Sequence, residues 1–305
     1  MKTILFVKTS SLGDVVHNCP AVSDAARAAP GAAIDWIVEE PFAGIAAMHR
    51  AVRRVIPVAL RRWRGALWKP SVWSEIGAWR RQVRAERYDA VIDTQSLLKS
   101  VLISRAASGT LHGLDRASAR EWLAPSFYDV RHPVPRNLHA VQRNRLLTAS
   151  ALGYEVSEAA DYGLRVPQTH KSGYVVLLTM TSRADKLWAE ERWVELGRNL
   201  GAPTMLPWGS EPERERAQRI SAAIGGTVLP RKNLEELARL FVGARGVVGL
   251  DTGLTHLAAA LGVPTVGIYC GSDPALTGLY GAPLARNAGA SGQAPTVAEV
   301  LRLLA

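Results

Sequence analysis

Residues 246–271 read GVVGLDTGLTHLAAALGVPTVGIYCG and predict a strand, a turn, a helix and a second strand. Residues 247–250 form an apolar, β-branched run of the kind that is buried in a parallel sheet. The chain then turns at Asp-Thr-Gly, and leucines and alanines recur at helical spacing until Gly262 and Pro264 end the helix. A helix that starts directly after a strand points unpaired amides and a partial positive charge beyond the sheet, which favours a phosphate.

The turn in this stretch has two interpretations. Asp251, Thr252, Gly253 and, in the first turns of the helix, His256 can line a phosphate site. Alternatively, Asp251 only caps the helix and Gly253 only makes the turn. This stretch taken alone does not decide between the two interpretations.

The chain has 305 residues, which is long for one domain and predicts two α/β domains. Residues 3–7 predict an apolar strand that is followed by KTSSLGD and then by a helix. Small, hydroxylated and glycine residues after a first strand let a ligand approach the backbone. Asp14 would then stand beyond the carboxyl ends of the strands, at the mouth of a ligand cleft, although it can also be only a helix cap. Residues 111–132 carry weaker signals and read mainly as loop and helix start.

The net charge of +10 is unevenly distributed along the chain. The first 153 residues contain 22 Lys and Arg against 12 Asp and Glu, whereas the remainder contains 15 of each. The whole basic excess therefore lies in the first half. This asymmetry indicates that the N-terminal half faces something large and anionic, such as nucleic acid, an acidic glycolipid or a membrane surface.

A basic and aromatic stretch follows the third predicted strand. It contains Arg61, Arg62, Arg64 and Lys69, together with Trp63, Trp68, Trp73 and Trp79. Arginines with interleaved indoles suit phosphate or carboxylate binding together with contact at a lipid interface. An ordinary solvated basic helix with a packed aromatic face is the alternative. Arg120 adds to the same basic surface.

Polar side chains follow other predicted strands. Gln95 and Lys99 come after the strand at residues 88–94. In the second domain, Thr181, Ser182 and Lys186 follow the strand at residues 174–180, and Glu213 opens a charged helix after the strand at residues 204–206. Two hydroxyls and a lysine after a strand match phosphate coordination, and a glutamate can accept hydrogen bonds from a ribose. Each group can instead belong to a solvated loop or helix.

Several site classes are excluded by the sequence. It has no G-x-x-x-x-G-K-[ST], no G-x-G-x-x-G, no Asp-x-Asp pair, no G-x-S-x-G and no H-E-x-x-H. Cys19 and Cys270 lie far apart and predict neither a zinc site nor a disulfide framework. No apolar run approaches the ~18 residues that span a bilayer, and no signal peptide is predicted. We predict no cofactor and no bound metal.

A set of motifs along nearly the whole chain resembles the lipopolysaccharide heptosyltransferases. The motifs are KTSSLGD, EEPFA, IPVALRRWR, YDAVIDTQSLLKS, HGLDRASARE, TSRADKLW, LPWGS and VGLDTGLTHLAAALGVPTVGIY, in this order. Within that family the chain resembles the enzymes that add the first heptose. The resemblance implies a GT-B fold, with two Rossmann-like domains facing across a cleft. It also implies transfer of L-glycero-D-manno-heptose from ADP-heptose to the inner Kdo sugar of Kdo2-lipid A, with inversion and without a metal.

The resemblance also implies roles for individual residues. Asp14 resembles the general base that takes the acceptor proton. The residues that resemble the donor site are Thr181, Ser182, Lys186, Glu213, Asp251, Thr252, Gly253 and His256. The residues that we place at the acceptor are Ser10, Ser11, Gly13, Arg61, Arg62, Arg64, Gln95, Lys99 and Arg120. In this picture lysine, hydroxyls and amides neutralise the departing diphosphate where other enzymes place a metal.

The resemblance sets the expected domains and location. Residues 1–166 are expected to bind the acceptor and residues 167–290 the ADP-sugar, and residues 291–305 are expected to form a helix that can pack back on the first domain. The protein is expected in the cytoplasm, peripheral on the inner face of the inner membrane, with no nucleic acid partner. Cys270-Gly271-Ser272 stands where the family often has Gly-Pro-Thr, and the tail after Pro283 is short. The contacts of the first segment with the nucleotide are therefore left open.

Three other functions are considered. An enzyme of the same family that adds the second heptose differs in its acceptor. A nucleotide-sugar epimerase of the same architecture would convert its substrate without any acceptor. A basic lipid-binding or nucleic-acid-binding module accounts for the charge but not for the donor-like loops of the second domain.

Overall fold

The computed structural model describes residues 2–156, 158–167 and 172–304, and the chain divides into two compact units, Met1–Gly163 and Leu164–Ala305. Strands and helices alternate in both units, so the predicted α/β class is confirmed. The junction that the sequence predicts over residues 157–172 lies partly outside the described residues, which omit 157 and 168–171.

The strands of the first unit are β1 (Thr3–Val7), β2 (Ala33–Glu39), β3 (Val52–Val58), β4 (Arg87–Asp93), β5 (Ser108–Leu114) and β6 (Val130–His132). In the described part of this unit they form one parallel sheet in the order β3-β2-β1-β4-β5-β6. Val7 at the end of β1 lies opposite Ile37 on one side and Asp93 on the other. The strand order reverses between β1 and β4, and ligands of open α/β sheets bind beyond the carboxyl ends of the strands at such a point.

The helices of the first unit are α1 (Leu12–Ala28), α2 (Ala43–Ala47), α3 (Leu60–Arg64), α4 (Pro70–Arg84), α5 (Leu98–Ser104) and α6 (Ala140–Leu152), with one-turn 3-10 helices at Glu40–Phe42 and Ala124–Phe127. Helix α1 packs against α6. Helices α3, α4 and α5 contribute to a separate apolar cluster on the sheet, which we call the α4 core. In it the Trp63 and Trp79 rings meet edge to face, with 5.9 Å between centroids.

Strands β5 and β6 differ from the sequence-based interpretation, which expected loop and helix start over much of this region. The first of them carries Gly109 and Gly113 and therefore lacks the β-branched signal of a buried strand. A Cβ at position 113 would lie 2.3 Å from Cζ of Tyr128, so packing of this ring requires glycine. The strand is thus specified by a tertiary contact that no local pattern reveals.

The strands of the second unit are β7 (Val175–Leu178), β8 (Thr204–Leu206), β9 (Thr227–Val228), β10 (Gly246–Leu250), β11 (Thr265–Tyr269) and β12 (Ala285–Gly289). In the described part of this unit they form one parallel sheet in the order β12-β11-β10-β7-β8-β9. The stretch at residues 246–271 folds as predicted, as strand, turn, helix and strand. Its first strand is fully buried between β11 and β7.

The helices of the second unit are α7 (Glu190–Asn199), α8 (Glu211–Ile224), α9 (Leu234–Gly243), α10 (Gly253–Ala260), α11 (Pro274–Thr277) and α12 (Val297–Leu304), with a 3-10 turn at Ala184–Lys186. Helix α12 packs on β11, β12 and α7, and its Val297 and Val300 are buried in the core of this unit. The expected packing of residues 291–305 on the first domain stays a prediction. None of the described helices is both long and apolar enough to cross a bilayer.

His49 gives the first unit a pH-dependent stability. Its Nε2 lies 3.1 Å from both the Cys19 carbonyl oxygen and Ser23 Oγ, and its Nδ1 accepts a hydrogen bond from the Ala51 amide. Burial lowers its pKa from 6.5 to about 4. The unfolded chain therefore binds the proton more tightly, so the stabilisation is complete above pH 6.5 and is lost as the pH falls toward 4.

We expect the free energy of unfolding attributable to His49 to fall by about 2 kcal/mol between about pH 7.5 and about pH 5. Urea unfolding of the wild type and of His49→Gln at both pH values measures this difference, because the glutamine variant cannot take up the proton. Equal pH dependence in the two proteins would show that His49 is not the titrating group.

Candidate active site

Three neighbouring strands of the second unit bring polar side chains to one edge of its sheet. Lys186 follows β7, Asp251 follows β10, and Ser272 follows β11. Because these strands are adjacent and parallel, their carboxyl ends lie side by side. The loop after β7 also packs closely on Gly271, where a Cβ would lie 2.6 Å from the Asp185 carbonyl oxygen. A glycine at this position therefore permits the loop to approach.

Asp251 is the centre of a group of hydrogen-bonded side chains, which we call the Asp251 cluster. Its Oδ2 accepts hydrogen bonds from Lys186 Nζ and Ser272 Oγ, both at 2.6 Å, and its Oδ1 lies 3.4 Å from His256 Nε2. Burial alone would raise the pKa of this carboxyl, but the bonds from His256, Lys186 and Ser272 outweigh it and hold the pKa well below 3.8. The carboxylate is thus kept charged, and it fixes the position of the Lys186 ammonium.

Thr252, and not Asp251, caps helix α10. The Thr252 side chain accepts a hydrogen bond from the Leu254 amide at 3.2 Å. The alternative in which Asp251 is only a cap is therefore wrong, since its carboxylate bonds the other members of the cluster instead. Thr181 Oγ1 donates to the Asp251 carbonyl oxygen at 3.3 Å, and Gly253 is the first residue of the helix. The loop after β7 and the start of α10 thus lie together.

Two predicted donor residues are not joined to the Asp251 cluster by these contacts. Ser182 is exposed on the loop after β7. Glu213 lies in the first turn of α8, where its Oε2 accepts a hydrogen bond from the Gly209 amide at 2.7 Å. Since β8 is the neighbour of β7, Glu213 stands one strand farther along the same edge of the sheet. In the described residues, no three His, Cys, Asp or Glu side chains are grouped as ligands for a metal ion.

Asp14 lies in the first turn of α1, directly after the central strand of the first unit. Its Oδ2 accepts hydrogen bonds from the Ser11 amide at 2.8 Å and from Ser11 Oγ at 3.3 Å. Asp14 therefore does take part in capping the helix. These bonds use one carboxylate oxygen, and Oδ1 takes no part in them. Asp14 is half-buried, at the edge of the sheet where the strand order reverses.

Gln95 and Lys99 hold the loop that precedes Asp14. The Gln95 Oε1 accepts hydrogen bonds from the Thr9 amide at 2.6 Å and from Thr9 Oγ1 at 2.8 Å, while its Nε2 donates to the Ser10 carbonyl oxygen at 2.6 Å. Lys99 Nζ donates to Ser10 Oγ at 2.9 Å. The predicted residues Ser10, Ser11, Gly13, Gln95 and Lys99 are thus gathered around Asp14. Gln95 itself is buried and acts on the loop rather than at its surface.

Lys8 also belongs to this region, although the sequence analysis does not predict it as a site residue. It is 6% exposed, and its Nζ donates to the Thr94 carbonyl oxygen at 2.7 Å. Burial lowers the pKa of Lys8, the carboxylates of Asp14 and Asp93 act in the opposite direction, and Arg120 and Arg143 lower it further. Lys8 therefore interacts electrostatically with Asp14 and with two arginines. The signal for Lys8 was its position in KTSSLGD, but its burial depends on the tertiary structure.

Arg61, Arg62 and Arg64 lie on α3, beyond the end of β3, which is two strands away from β1. Arg62 is bound by Glu40 and Glu75, at 2.9 and 2.5 Å. The Arg61 guanidinium lies over the Phe42 ring, 5.9 Å from its centroid, and Arg64 is exposed. The structure therefore does not bring these arginines into the group around Asp14, and it uses one of them in surface ion pairs.

Comparison with known proteins identifies the family of the chain. Residues 76–302 match the family model described as Glycosyltransferase family 9 (heptosyltransferase). Lipopolysaccharide heptosyltransferase 1 of Salmonella typhimurium is 47% identical over 289 residues, which cover 91% of each chain.

Solved structures extend this comparison to the fold. E. coli heptosyltransferase WaaC with ADP superimposes with a TM-score of 0.88 at 43% identity, covering 98% of this chain and 96% of that chain. The same enzyme with ADP-2-deoxy-2-fluoro heptose gives a TM-score of 0.86 at 42% identity, covering 99% and 97%. E. coli ADP-heptose lps heptosyltransferase II, at 19% identity, shares the fold with a TM-score of 0.77, covering 100% and 97%. The chain therefore belongs to glycosyltransferase family 9, the heptosyltransferases, and has their GT-B fold.

Proposed function

We propose that the chain transfers L-glycero-D-manno-heptose from ADP-heptose to the inner Kdo of Kdo2-lipid A, with inversion at the anomeric carbon and without a divalent metal. The observation that carries the proposal is the Lys186 ammonium fixed by buried Asp251 beside the start of α10. The identity of 47% over 91% of the chain to a lipopolysaccharide heptosyltransferase 1 supports this choice of reaction.

The donor site is assigned to the second unit. Lys186 gives one N–H to Asp251 and keeps two for a ligand, and the helix start adds a partial positive charge. Together with the hydroxyls of Thr181 and Ser182, these groups would stabilise the charge that develops on the departing diphosphate. The WaaC structures with ADP and with ADP-2-deoxy-2-fluoro heptose support a donor of this type. Glu213, at the neighbouring strand end, is assigned to the ribose.

Asp14 is assigned as the general base. In the proposed step the acceptor hydroxyl oxygen forms a bond to the anomeric carbon while the bond from that carbon to the diphosphate oxygen breaks. The proton of the hydroxyl passes to the Asp14 carboxylate, and ADP leaves with the bonding electrons. A direct displacement of this kind inverts the anomeric configuration. The proton moves late, when the hydroxyl has already become acidic, because a carboxylate is a weak base.

The acceptor is assigned to the first unit because cations lie at the loop that precedes Asp14. Lys8, Arg120 and Arg143 interact electrostatically with one another, and Lys99 lies at Ser10. Among the described residues Arg143 Nε is buried and has no hydrogen-bond partner, and these cations together favour an anionic group. An acidic sugar on a lipid would supply such a group. We accordingly place the protein in the cytoplasm, peripheral on the inner face of the inner membrane.

A transfer assay with two acceptors tests this function. We expect heptose transfer from ADP-heptose to Kdo2-lipid A, no transfer to the same acceptor that already carries one heptose, and equal rates with and without EDTA. Transfer only to the heptose-bearing acceptor would instead identify an enzyme that adds the second heptose. Conversion of ADP-heptose in the absence of any acceptor would identify an epimerase, and loss of activity with EDTA would contradict the metal-free mechanism.

A further inference from the structure

The first unit exposes large apolar side chains next to its basic helix α3. Leu67, Trp68 and Trp73 are 44%, 76% and 59% exposed, and we call them the indole surface. They lie between the end of α3 and the first turn of α4. Exposed aromatic side chains in such a group are unfavourable in water and commonly mark a site of interaction.

The indole surface is held by the fold and is not a loose loop. Trp73 Nε1 donates to the Leu67 carbonyl oxygen at 2.8 Å, which ties the loop to the first turn of α4. From the same segment Trp63 and Val72 are buried in the α4 core. The segment therefore divides its apolar side chains between the core and the solvent. The polar atom of Trp73 is already satisfied, so the exposed part of this ring offers only apolar surface.

The charges around the indole surface favour an anionic partner. Arg61, Arg64 and Lys69 flank it and are exposed, whereas Arg62 is paired with carboxylates of the protein. Basic side chains beside exposed indoles are the combination that binds the interface of an anionic membrane, where cations meet phosphates and the rings enter the headgroup region. A protein partner would need an acidic and apolar surface of matching shape.

A second group of exposed apolar side chains lies on α5, on the 3-10 helix at Ala124–Phe127 and in the turn before it. Leu102 of α5 is 70% exposed, and Trp122 and Phe127 are 68% and 42% exposed. Helix α5 and the 3-10 helix at Ala124–Phe127 contribute to the same α4 core as α3 and α4. Glu121 Oε2 accepts a hydrogen bond from the Leu98 amide, which ties the turn that carries Trp122 to the N-terminus of α5. One face of the first sheet thus carries both groups.

We propose that this face inserts Trp68 and Trp73 into the interface of an anionic bilayer, with Arg64 and Lys69 on the lipid phosphates. The inference rests on the proposed function in one respect: a lipid-linked acceptor would be met at the same membrane. It goes beyond that function because insertion of apolar rings, and not only charge attraction, supplies the binding. Binding should therefore persist at ionic strengths that screen exposed charges.

Cosedimentation with vesicles tests the proposal, using phosphatidylglycerol–phosphatidylcholine vesicles that contain no Kdo sugar. Trp68→Ser removes one exposed ring and no hydrogen bond of the fold that the structure displays, and Leu284→Ser, at a 51% exposed leucine of the second unit, is the matched control. We expect the affinity of Trp68→Ser for the vesicles to fall about tenfold or more at about 0.5 M salt, with the control unchanged. Circular dichroism verifies that both variants are folded.

The outcomes separate this proposal from the proposed function. Unchanged vesicle binding of Trp68→Ser, or binding of the wild type that disappears completely at high salt, would overturn insertion of the rings. Concentration-dependent self-association that Trp68→Ser abolishes would instead identify the face as an interface between copies of the chain. Because the vesicles contain no acceptor, failure of heptose transfer would leave the vesicle result intact.

Discussion

Replacement of Asp14 by asparagine is expected to lower the turnover of heptose transfer by about 10³-fold and to leave the affinity for ADP unchanged. Asparagine Oδ1 can still accept the hydrogen bond that Ser11 donates to Asp14, so the start of α1 is preserved. The asparagine side-chain amide is not basic and cannot take the proton of the acceptor hydroxyl. The loss therefore reports proton transfer and not a disturbed helix.

The measurement is single-turnover transfer at saturating donor and acceptor, alongside calorimetric titration with ADP. Asp115→Asn is the matched control, because Asp115 lies in the same unit and accepts a backbone hydrogen bond from Ser118 at 2.9 Å. We expect this control to retain full activity. A Asp14→Asn rate within about threefold of the wild type would show that another group takes the proton.

Replacement of Lys186 by methionine is expected to destabilise the second unit by about 3 kcal/mol and to weaken ADP binding strongly. The two side chains of the pair are 17% and 8% exposed, so removal of the cation leaves a largely buried carboxylate with only His256 and Ser272 as partners. The double variant Lys186→Met, Asp251→Asn should recover much of the stability, since the buried charge is then gone. It should not recover ADP affinity.

Urea unfolding and ADP titration of the single and double variants measure these effects separately. Lys232→Met is the control, because Lys232 pairs with Glu236 on the surface at 3.8 Å and such pairs contribute at most about 1 kcal/mol. If the double variant proved less stable than Lys186→Met alone, Asp251 would be stabilising by itself and the coupling of the pair would be refuted.

The principal features of the second unit were predictable from sequence because they follow directly from local pattern. A β-branched run, an Asp-Thr-Gly turn and helical leucines specify β10 and α10. The family resemblance assigned Lys186 and Asp251 to one donor site, and the structure joins them by a hydrogen bond. The cap could not be assigned in the same way, because Asp251 and Thr252 are both good capping residues. The tertiary structure decides between them: Asp251 bonds Lys186 and Ser272, and Thr252 accepts the hydrogen bond from the Leu254 amide.

Other parts of the candidate site depend on contacts between distant segments. Arg62 is predicted to bind the acceptor, and in the structure its guanidinium pairs with Glu40 and Glu75, which lie 22 and 13 residues away in the sequence. Ser272 looked like a departure from the family pattern, and it supplies a hydrogen bond to Asp251. Lys8 stands in the KTSSLGD motif, but its burial could not be predicted from the sequence. Pairing and burial of charged groups are properties of the tertiary fold, so no spacing rule reveals them.

We assign proton transfer to the first unit and stabilisation of the departing ADP to the second. This division of roles is tested most directly by measuring both the ADP affinity and the transfer rate of two variants, Asp14→Asn and Lys186→Met. We predict that Asp14→Asn binds ADP like the wild type but transfers heptose about 10³-fold more slowly, whereas Lys186→Met loses ADP affinity by at least about tenfold. Equal losses of ADP affinity in the two variants would contradict the account.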